Sequence, residues 1–176
     1  MKSAQKLVFS FGDTLRYVDS ADFDGTNDYL TRGAGLTDAA DSKSGILSVW
    51  VRLDGGDTAV RSLMEGVTTL AGTASRIRLI RSAANLFLLE GMNAAGTIKL
   101  DLRTVATYTA AATWLHVLTS WDLATAGASH LYINGVSDKT ISTFTDDTLD
   151  YTLADWSVGA EADGSNKLDG CLAELY

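Results

Sequence analysis

The stretch from Trp114 to Gly135 constrains the fold more than any other part of this sequence. Two segments of alternating apolar and polar residues flank a loop of small residues, and the second segment ends at Asn134-Gly135. Asn-Gly supplies the two positive-φ positions of a type I′ turn, the strongest short-range signal for a β-hairpin. The chain is therefore expected to return as a strand over Val136–Ser142, which makes three consecutive antiparallel strands.

The same alternation marks the longest predicted strand, Ser44–Leu53. Because successive side chains of a strand point to opposite faces, leucines and valines fall on one face here, and Ile46, Ser48, Trp50 and Arg52 fall on the other. Further strands are predicted at Lys6–Phe11, Arg16–Phe23, Ala59–Glu65, Arg76–Arg81, Asn85–Glu90, Thr97–Leu102, Asp155–Ala160 and Lys167–Tyr176.

Helical patterns are almost absent. Only Leu36–Ser42 and the alanine-rich Tyr108–Thr113 suggest a helical turn, and no window carries a longer amphipathic helix. About a dozen short strands at this spacing favour an all-β fold, either a two-sheet sandwich or a barrel. A chain of 176 residues forms one such domain.

Composition excludes several classes of protein. A formal net charge of -8 argues against binding to nucleic acid or to an anionic membrane, since both need a basic surface. Cys171 is the only cysteine, which excludes an intrachain disulfide and a cysteine zinc cluster. The first 11 residues lack the apolar run of a signal peptide, and no stretch reaches transmembrane length. Synthesis in a cytoplasm, or excision from a longer chain, is therefore expected.

The segment Ala21–Leu30 (Ala-Asp-Phe-Asp-Gly-Thr-Asn-Asp-Tyr-Leu) resembles the opening motif of laminin-G-like, concanavalin A-like jelly rolls. Further motifs follow in the order of that family: Leu47–Arg52, Trp114–Asp122, Leu131–Gly135, Trp156–Ala160 and Leu168–Tyr176. The resemblance implies a two-sheet antiparallel jelly-roll β-sandwich over residues 21–176, preceded by an N-terminal strand or arm over residues 1–20. Because the closing strand of the family usually runs further, a domain truncated at its C-terminus is expected.

Extracellular animal members of this family often carry disulfides and a secretion signal, whereas this chain is similar to the versions in bacteriophage structural proteins. That resemblance implies a non-enzymatic display module of the virion, either a capsid decoration or a tail-fibre domain, made in the host cytoplasm and bound to other virion proteins. The apolar residues Leu7, Val8, Phe9 and Phe11 motivate a further hypothesis. The N-terminal segment would add a strand to a neighbouring copy and form a homo-oligomer.

The alternative function is that of a carbohydrate-binding adhesin module whose partners are surface glycans. Glycan sites commonly combine an aromatic platform with polar hydrogen-bonding groups. If the faces of neighbouring strands coincide, Trp50, His116, His130 and Tyr132 line one surface and are the candidate glycan-binding residues. The competing interpretation places Trp50 and Trp114 in the core, because large aromatic side chains are mostly buried.

The sequence patterns support a catalytic site or a metal site less well than a glycan site. Glycoside hydrolases need paired carboxylates that flank the scissile bond, but Glu65, Glu90, Glu161 and Glu174 are far apart in the sequence. No catalytic residue is therefore predicted. Calcium remains an alternative because aspartates occur in the turns at Asp54/Asp57, Asp146/Asp147 and Asp163. Their spacing is not that of a dedicated calcium loop, and aspartates in turns commonly bond their own backbone. No cofactor and no metal ligand are predicted.

Overall fold

The computed structural model describes residues 6–11, 14–70 and 75–176, with side chains described from Asp19 onward. Two antiparallel sheets, one of six strands and one of seven, form a β-sandwich. The predicted all-β, jelly-roll architecture is thereby confirmed. Within the described ranges no helix is long and apolar enough to cross a membrane.

The N-terminal strands β1 (Lys6–Phe11) and β2 (Thr14–Asp19) pair with each other in a two-stranded sheet that is separate from the two sheets of the sandwich. The predicted strand at Lys6–Phe11 is confirmed. The predicted Gly12-Asp13 turn lies outside the described residues, and so does the packing of the Leu7, Val8, Phe9 and Phe11 side chains. The hypothesis that this segment joins a neighbouring copy stays a prediction.

The six-stranded sheet has the order β12-β11-β10-β5-β15-β3. In chain order its strands are β3 (Ala21–Asp24), β5 (Ser44–Leu53), β10 (Trp114–Asp122), β11 (Ser129–Ile133), β12 (Val136–Ser137) and β15 (Asp169–Ala173). The seven-stranded sheet has the order β13-β9-β8-β7-β6-β14-β4. Its strands are β4 (Leu30–Arg32), β6 (Arg61–Val67), β7 (Arg76–Arg81), β8 (Phe87–Met92), β9 (Ile98–Arg103), β13 (Thr140–Phe144) and β14 (Asp155–Val158).

The core lies between the sheets and is built from alternate positions of the strands. On the central pair of the six-stranded sheet, Val49 of β5 lies opposite Val117 of β10, and both are fully buried. Leu79 and Leu89 are the equivalent fully buried pair of β7 and β8 in the other sheet. Burial of each such side chain contributes about 1.5–3 kcal/mol. Every second residue of these strands consequently points away from the core.

The predicted Asn134-Gly135 turn is present, with φ angles of 52° and 78°. The predicted third antiparallel strand forms as β12, but its predicted extent over Val136–Ser142 is wrong, because β12 ends at Ser137 and the chain then crosses to the seven-stranded sheet as β13. Asp138, which lies between β12 and β13, stabilises this connection. Its carboxylate accepts hydrogen bonds from the Tyr108 hydroxyl at 2.6 Å and from the Val105 backbone N–H at 2.7 Å.

The two predicted helical turns do not form helices. Leu36–Ser42 contains one turn hydrogen bond, from the Ala39 N–H to the Leu36 carbonyl at 3.3 Å. In Tyr108–Thr113 the backbone bonds other loops and strands instead: the Tyr108 N–H donates to Asn85 and the Ala111 N–H to Leu53. These tertiary hydrogen bonds outweigh the high helix propensity of the alanines, because intrinsic propensity is a weak preference that tertiary contacts readily override.

Candidate functional site

All four predicted glycan-binding residues lie on the outward surface of the six-stranded sheet. In the register of β10 and β5, His116 lies opposite Trp50. In the register of β10 and β11, Tyr132 lies opposite Leu118 and His130 lies opposite Ser120. Each is offset by one residue from a buried position such as Val49, Val117 or Leu131, so its side chain points outward. Together with the outward-facing Trp114, they form what we call the aromatic face: Trp50, Trp114, His116, His130 and Tyr132.

The first of two ring stacks on this face joins Trp50 and His116. Their centroids are 4.8 Å apart and their planes differ by 21°. The His116 ring is held by a hydrogen bond of 2.8 Å between its Nε2 and the Ser48 hydroxyl. Its backbone N–H donates to the Asn134 side chain at 2.8 Å. The hairpin turn found in the sequence thus also fixes the strand that carries His116.

Both outward tryptophans are half-buried rather than part of the core between the sheets. Trp114 lies next to Arg52, whose guanidinium is 5.8 Å from the indole centroid, within the range of a cation–π contact. The interpretation that Trp50 and Trp114 belong to the core is therefore wrong for this fold. Trp121 is the tryptophan of the six-stranded sheet that is buried, at 5% exposure.

The second ring stack joins His130 and Tyr132 on the neighbouring strand β11. The ring centroids are 5.8 Å apart with an interplanar angle of 14°, and the Tyr132 hydroxyl lies 3.4 Å from His130 Nδ1. His130 is exposed and Tyr132 is half-buried. Neighbouring strands lie roughly 5 Å apart, so the two stacks occupy adjacent strands of a single surface. Ring faces, imidazole nitrogens and hydroxyls are the groups with which a protein can stack on a sugar ring and bond its hydroxyls.

One group of metal-ligating atoms occurs among the described residues: Asp22, Asp54 and Cys171, with one atom from each within 4.8 Å of the others. The Arg52 guanidinium already lies there, 2.6 Å from Asp54 Oδ2 and 3.4 Å from the Cys171 Sγ. Burial raises the pKa of the Cys171 thiol to about 12, so the sulfur is protonated and a poor metal ligand. The arrangement supports a structural role for this cluster and gives no specific cofactor site.

The rim aspartates considered for calcium bond groups of the protein itself. Asp57 accepts hydrogen bonds from the fully buried Arg81 guanidinium at 2.8 Å and from the Ala110 N–H at 2.9 Å. The remaining ones bond as follows: Asp146 with Lys43, Asp147 with Lys99, Asn93 and Thr148, and Asp163 with Ser165. Lys99, followed by the Thr148 N–H and the Asn93 amide, lowers the pKa of Asp147 to about 2.

The outward surface of the seven-stranded sheet carries a network that was not predicted. Glu90 is 5% exposed and accepts hydrogen bonds from Arg76 at 2.7 Å and from Arg78 at 3.1 Å. Arg78 also bonds Glu161 at 3.1 Å, and Glu65 lies beside the same loop. We call this surface the charged face: Glu65, Arg76, Arg78, Glu90, Asp101, Arg103 and Glu161. The alternation of Arg76 and Arg78 in the sequence was the only signal for it.

An apolar groove of about 560 Å³ opens between the two sheets at one end of the sandwich. Its lining includes Leu30, Ile46, Met64, Trp121, Trp156 and Tyr176. Few polar groups line it, so it offers sugar hydroxyls little to bond. The aromatic face is the better candidate for a glycan site because it combines ring faces with polar atoms.

Comparison with known proteins agrees with this architecture. Residues 24–176 match the family model of the concanavalin A-like lectin/glucanases superfamily. No curated protein matches the chain by sequence.

Solved structures with the same fold include the CBM40 carbohydrate-binding module of the Ruminococcus gnavus IT-sialidase bound to α2,3-sialyllactose. It is 14% identical with a TM-score of 0.60, and the match covers 89% of this chain and 90% of the module. Domain 4 of the Geobacillus stearothermophilus arabinanase AbnA, in complex with arabinotriose, is 16% identical with a TM-score of 0.52, over 98% of this chain and 74% of the domain.

The mouse laminin α1 LG4-5 domains are also similar, at 16% identity and a TM-score of 0.53, over 92% of this chain and 42% of that one. At these identities the structures establish a shared fold, whereas the family model matches most of the chain. The chain belongs to the concanavalin A-like lectin/glucanases superfamily.

Proposed function

We propose that this chain is a non-enzymatic carbohydrate-binding module that binds glycans through the aromatic face. The observation that carries the proposal is the pair of ring stacks, Trp50–His116 and His130–Tyr132, on adjacent strands of one outward surface. In addition, the R. gnavus and G. stearothermophilus domains with the same fold are in complex with sialyllactose and arabinotriose.

The chemistry of the aromatic face favours uncharged sugars. Its two stacks contain aromatic rings, hydroxyls and imidazoles, and the neighbouring Arg52 forms an ion pair with Asp54 at 2.6 Å. The chain has a net charge of -8, which disfavours polyanionic glycans at long range. Ile46, at 69% exposure, lies on β5 next to β10 and shares the outward side of the sheet with Trp50. It extends the apolar surface available to a sugar ring.

The experiment that tests this function is a binding screen on a panel of neutral and acidic oligosaccharides that includes arabinotriose and sialyllactose. The double variant His130→Ala/Tyr132→Ala should lose at least about tenfold in affinity for each glycan that the wild type binds, because an aromatic contact at the centre of an interface can contribute about 2 kcal/mol or more. The glycans should be recovered uncleaved. Arg103→Ala on the charged face is the control and should bind like the wild type.

Two outcomes would contradict the proposal. One is the absence of binding across the panel, and the other is full affinity in the folded His130→Ala/Tyr132→Ala variant. Release of shortened products would point instead to the glycan-cleaving activity that the sequence did not favour. The virion display role and the location in a virion stay predictions from the sequence, since the relatives named above are carbohydrate-binding or laminin domains.

A further inference from the structure

The two ring stacks of the aromatic face lie at different positions along the six-stranded sheet. The first stack is level with His116 on β10, because Trp50 is the partner of that residue on β5. On the neighbouring strand β11, Tyr132 is level with Leu118 of β10. His130 is level with the residue two places further along β10. The centre of the second stack therefore lies about three residues along β10 from the first.

The register gives the distance between the two stacks. Three residues along a strand correspond to about 10 Å, at about 3.4 Å per residue. The first stack lies between β5 and β10 and the second on β11, so they are also about one and a half strand spacings, or about 7 Å, apart across the sheet. The two offsets are perpendicular and combine to about 12 Å. A sugar ring is no wider than about one strand spacing, roughly 5 Å, so one ring cannot contact both stacks.

Leu118 lies between the two stacks. Its side chain is half-buried and is on the outward side of β10, next to His116 on its own strand and opposite Tyr132 on β11. A sugar ring that packs on Leu118 can therefore be linked to one ring at the first stack and to another at the second. The aromatic face thus offers a diagonal path with room for three linked sugar rings.

The two stacks also offer different contacts. In the first stack, His116 Nε2 already forms a hydrogen bond of 2.8 Å with the Ser48 hydroxyl, so this stack offers mainly ring surface. In the second stack, His130 is exposed, and the Tyr132 hydroxyl lies 3.4 Å from its Nδ1, which is long for a hydrogen bond. The second stack therefore offers polar atoms that can bond sugar hydroxyls. A ligand that uses both kinds of contact has to reach both stacks.

We propose that the aromatic face binds neutral oligosaccharides of at least three linked units. One unit lies at the Trp50–His116 stack, the next on Leu118 and the third at the His130–Tyr132 stack. This inference rests on the proposed function and adds the length of the ligand to it. A ligand that spans both stacks gains affinity over a monosaccharide, because its second contact forms within a complex that already exists.

The test is a nuclear magnetic resonance titration of the wild-type chain with two neutral series, arabino-oligosaccharides and cello-oligosaccharides of one to five units. In at least one series, affinity should rise at least about tenfold from one unit to three, as expected for two linked contacts. It should change little from three units to five. The trisaccharide should shift the Trp50 side-chain signal and the Tyr132 amide signal in parallel, with one dissociation constant for both.

Two variants test each stack separately. His116→Ala removes a ring of the first stack, and His130→Ala/Tyr132→Ala removes the second. Either change should weaken trisaccharide binding at least about tenfold, because only one of two linked contacts is left. The trisaccharide should then bind about as weakly as the monosaccharide. Arg103→Ala on the charged face is the control and should keep the dependence on chain length.

The inference is overturned if neither series binds, if affinity in both series is independent of chain length, or if either variant keeps the tenfold gain. The wild-type series decides the question by itself where a variant does not fold. None of these results removes the proposed function as long as the glycan panel yields a ligand whose binding requires His130 and Tyr132. Absence of binding across that panel would instead remove both proposals.

Discussion

The outward surfaces of the two sheets are covered by different kinds of side chain. Each is the side of a β-sheet that does not pack into the core, yet one is covered mainly by stacked aromatic rings and the other mainly by paired charges. On the charged face, Glu90 is nearly buried by the two arginines it bonds. On the aromatic face, His130 is exposed and its ring stack does not depend on a buried ion. The difference teaches that the charged face supports the fold, whereas the aromatic face has surface left for a ligand.

The largest expected effect is on stability and belongs to the charged face. Glu90→Ala removes the shared partner of Arg76 and Arg78 and leaves two partly buried cations without it. The free energy of unfolding should fall by about 2–3 kcal/mol, somewhat less than for a fully buried pair. Urea denaturation measures this change in the free energy of unfolding. Asp146→Ala removes the exposed Lys43–Asp146 pair and should cost much less stability, because solvent screens an exposed ion pair. Equal losses for the two variants would contradict the supporting role of the network.

The second effect is on binding and belongs to the aromatic face. His116→Ala removes the ring that stacks on Trp50 and bonds Ser48. Affinity for a bound neutral glycan should fall about tenfold, while stability falls by about 1 kcal/mol, the usual value of one hydrogen bond. Ser48→Ala removes only the hydrogen bond and serves as the matched control, with a smaller loss of affinity. Calorimetric titration and urea denaturation separate the two quantities. A large loss of stability with unchanged affinity would show that the stack serves the fold alone.

The sequence predicts the aromatic face better than the charged face, because most residues of the aromatic face are close together in the sequence. His116, His130 and Tyr132 lie within one hairpin region, where the period of two and the Asn134-Gly135 turn fix which side chains share a face. Glu65, Glu90 and Glu161 are far apart in the chain and meet only through the register of β6, β7 and β8 and the loop after β14. Short-range patterns carry no information on that register. The split of the strand predicted at Val136–Ser142 has the same cause, because Asp138 bonds a loop some 30 residues away.

Acid stability provides a third test, on the seven-stranded side of the molecule. Lys99, Thr148 and Asn93 hold the pKa of Asp147 at about 2. Because its pKa is lower in the folded chain than in the unfolded one, Asp147 stabilises the fold above its ordinary pKa near 4, and this contribution is lost as the pH falls from about 4 to 2. Asp147→Asn should therefore flatten the decline in stability over that interval, as followed by thermal denaturation. An unchanged decline would contradict the assignment, and added salt should reduce the difference because the carboxylate is partly exposed to solvent.

The smallest expected effect concerns Cys171, on the sheet that carries the aromatic face. The thiol is fully buried and its pKa is raised to about 12, so the nucleophilic thiolate is scarce at pH 8. A thiol-alkylating reagent should leave the folded chain unmodified and should label one thiol after denaturation in urea. Rapid labelling of the native chain, detected by mass spectrometry, would contradict the described burial and would make this edge of the aromatic face accessible to reagents.

The most direct test of the central claim is to map a bound neutral oligosaccharide onto the chain by amide chemical shifts. The account predicts shifts concentrated on β5, β10 and β11, with the His116 amide, which bonds Asn134, among the most affected, and with the amides of β7 and β8 unchanged. Shifts concentrated on β7, β8 and the Glu161–Asp163 loop would contradict it, and would transfer glycan binding to the charged face.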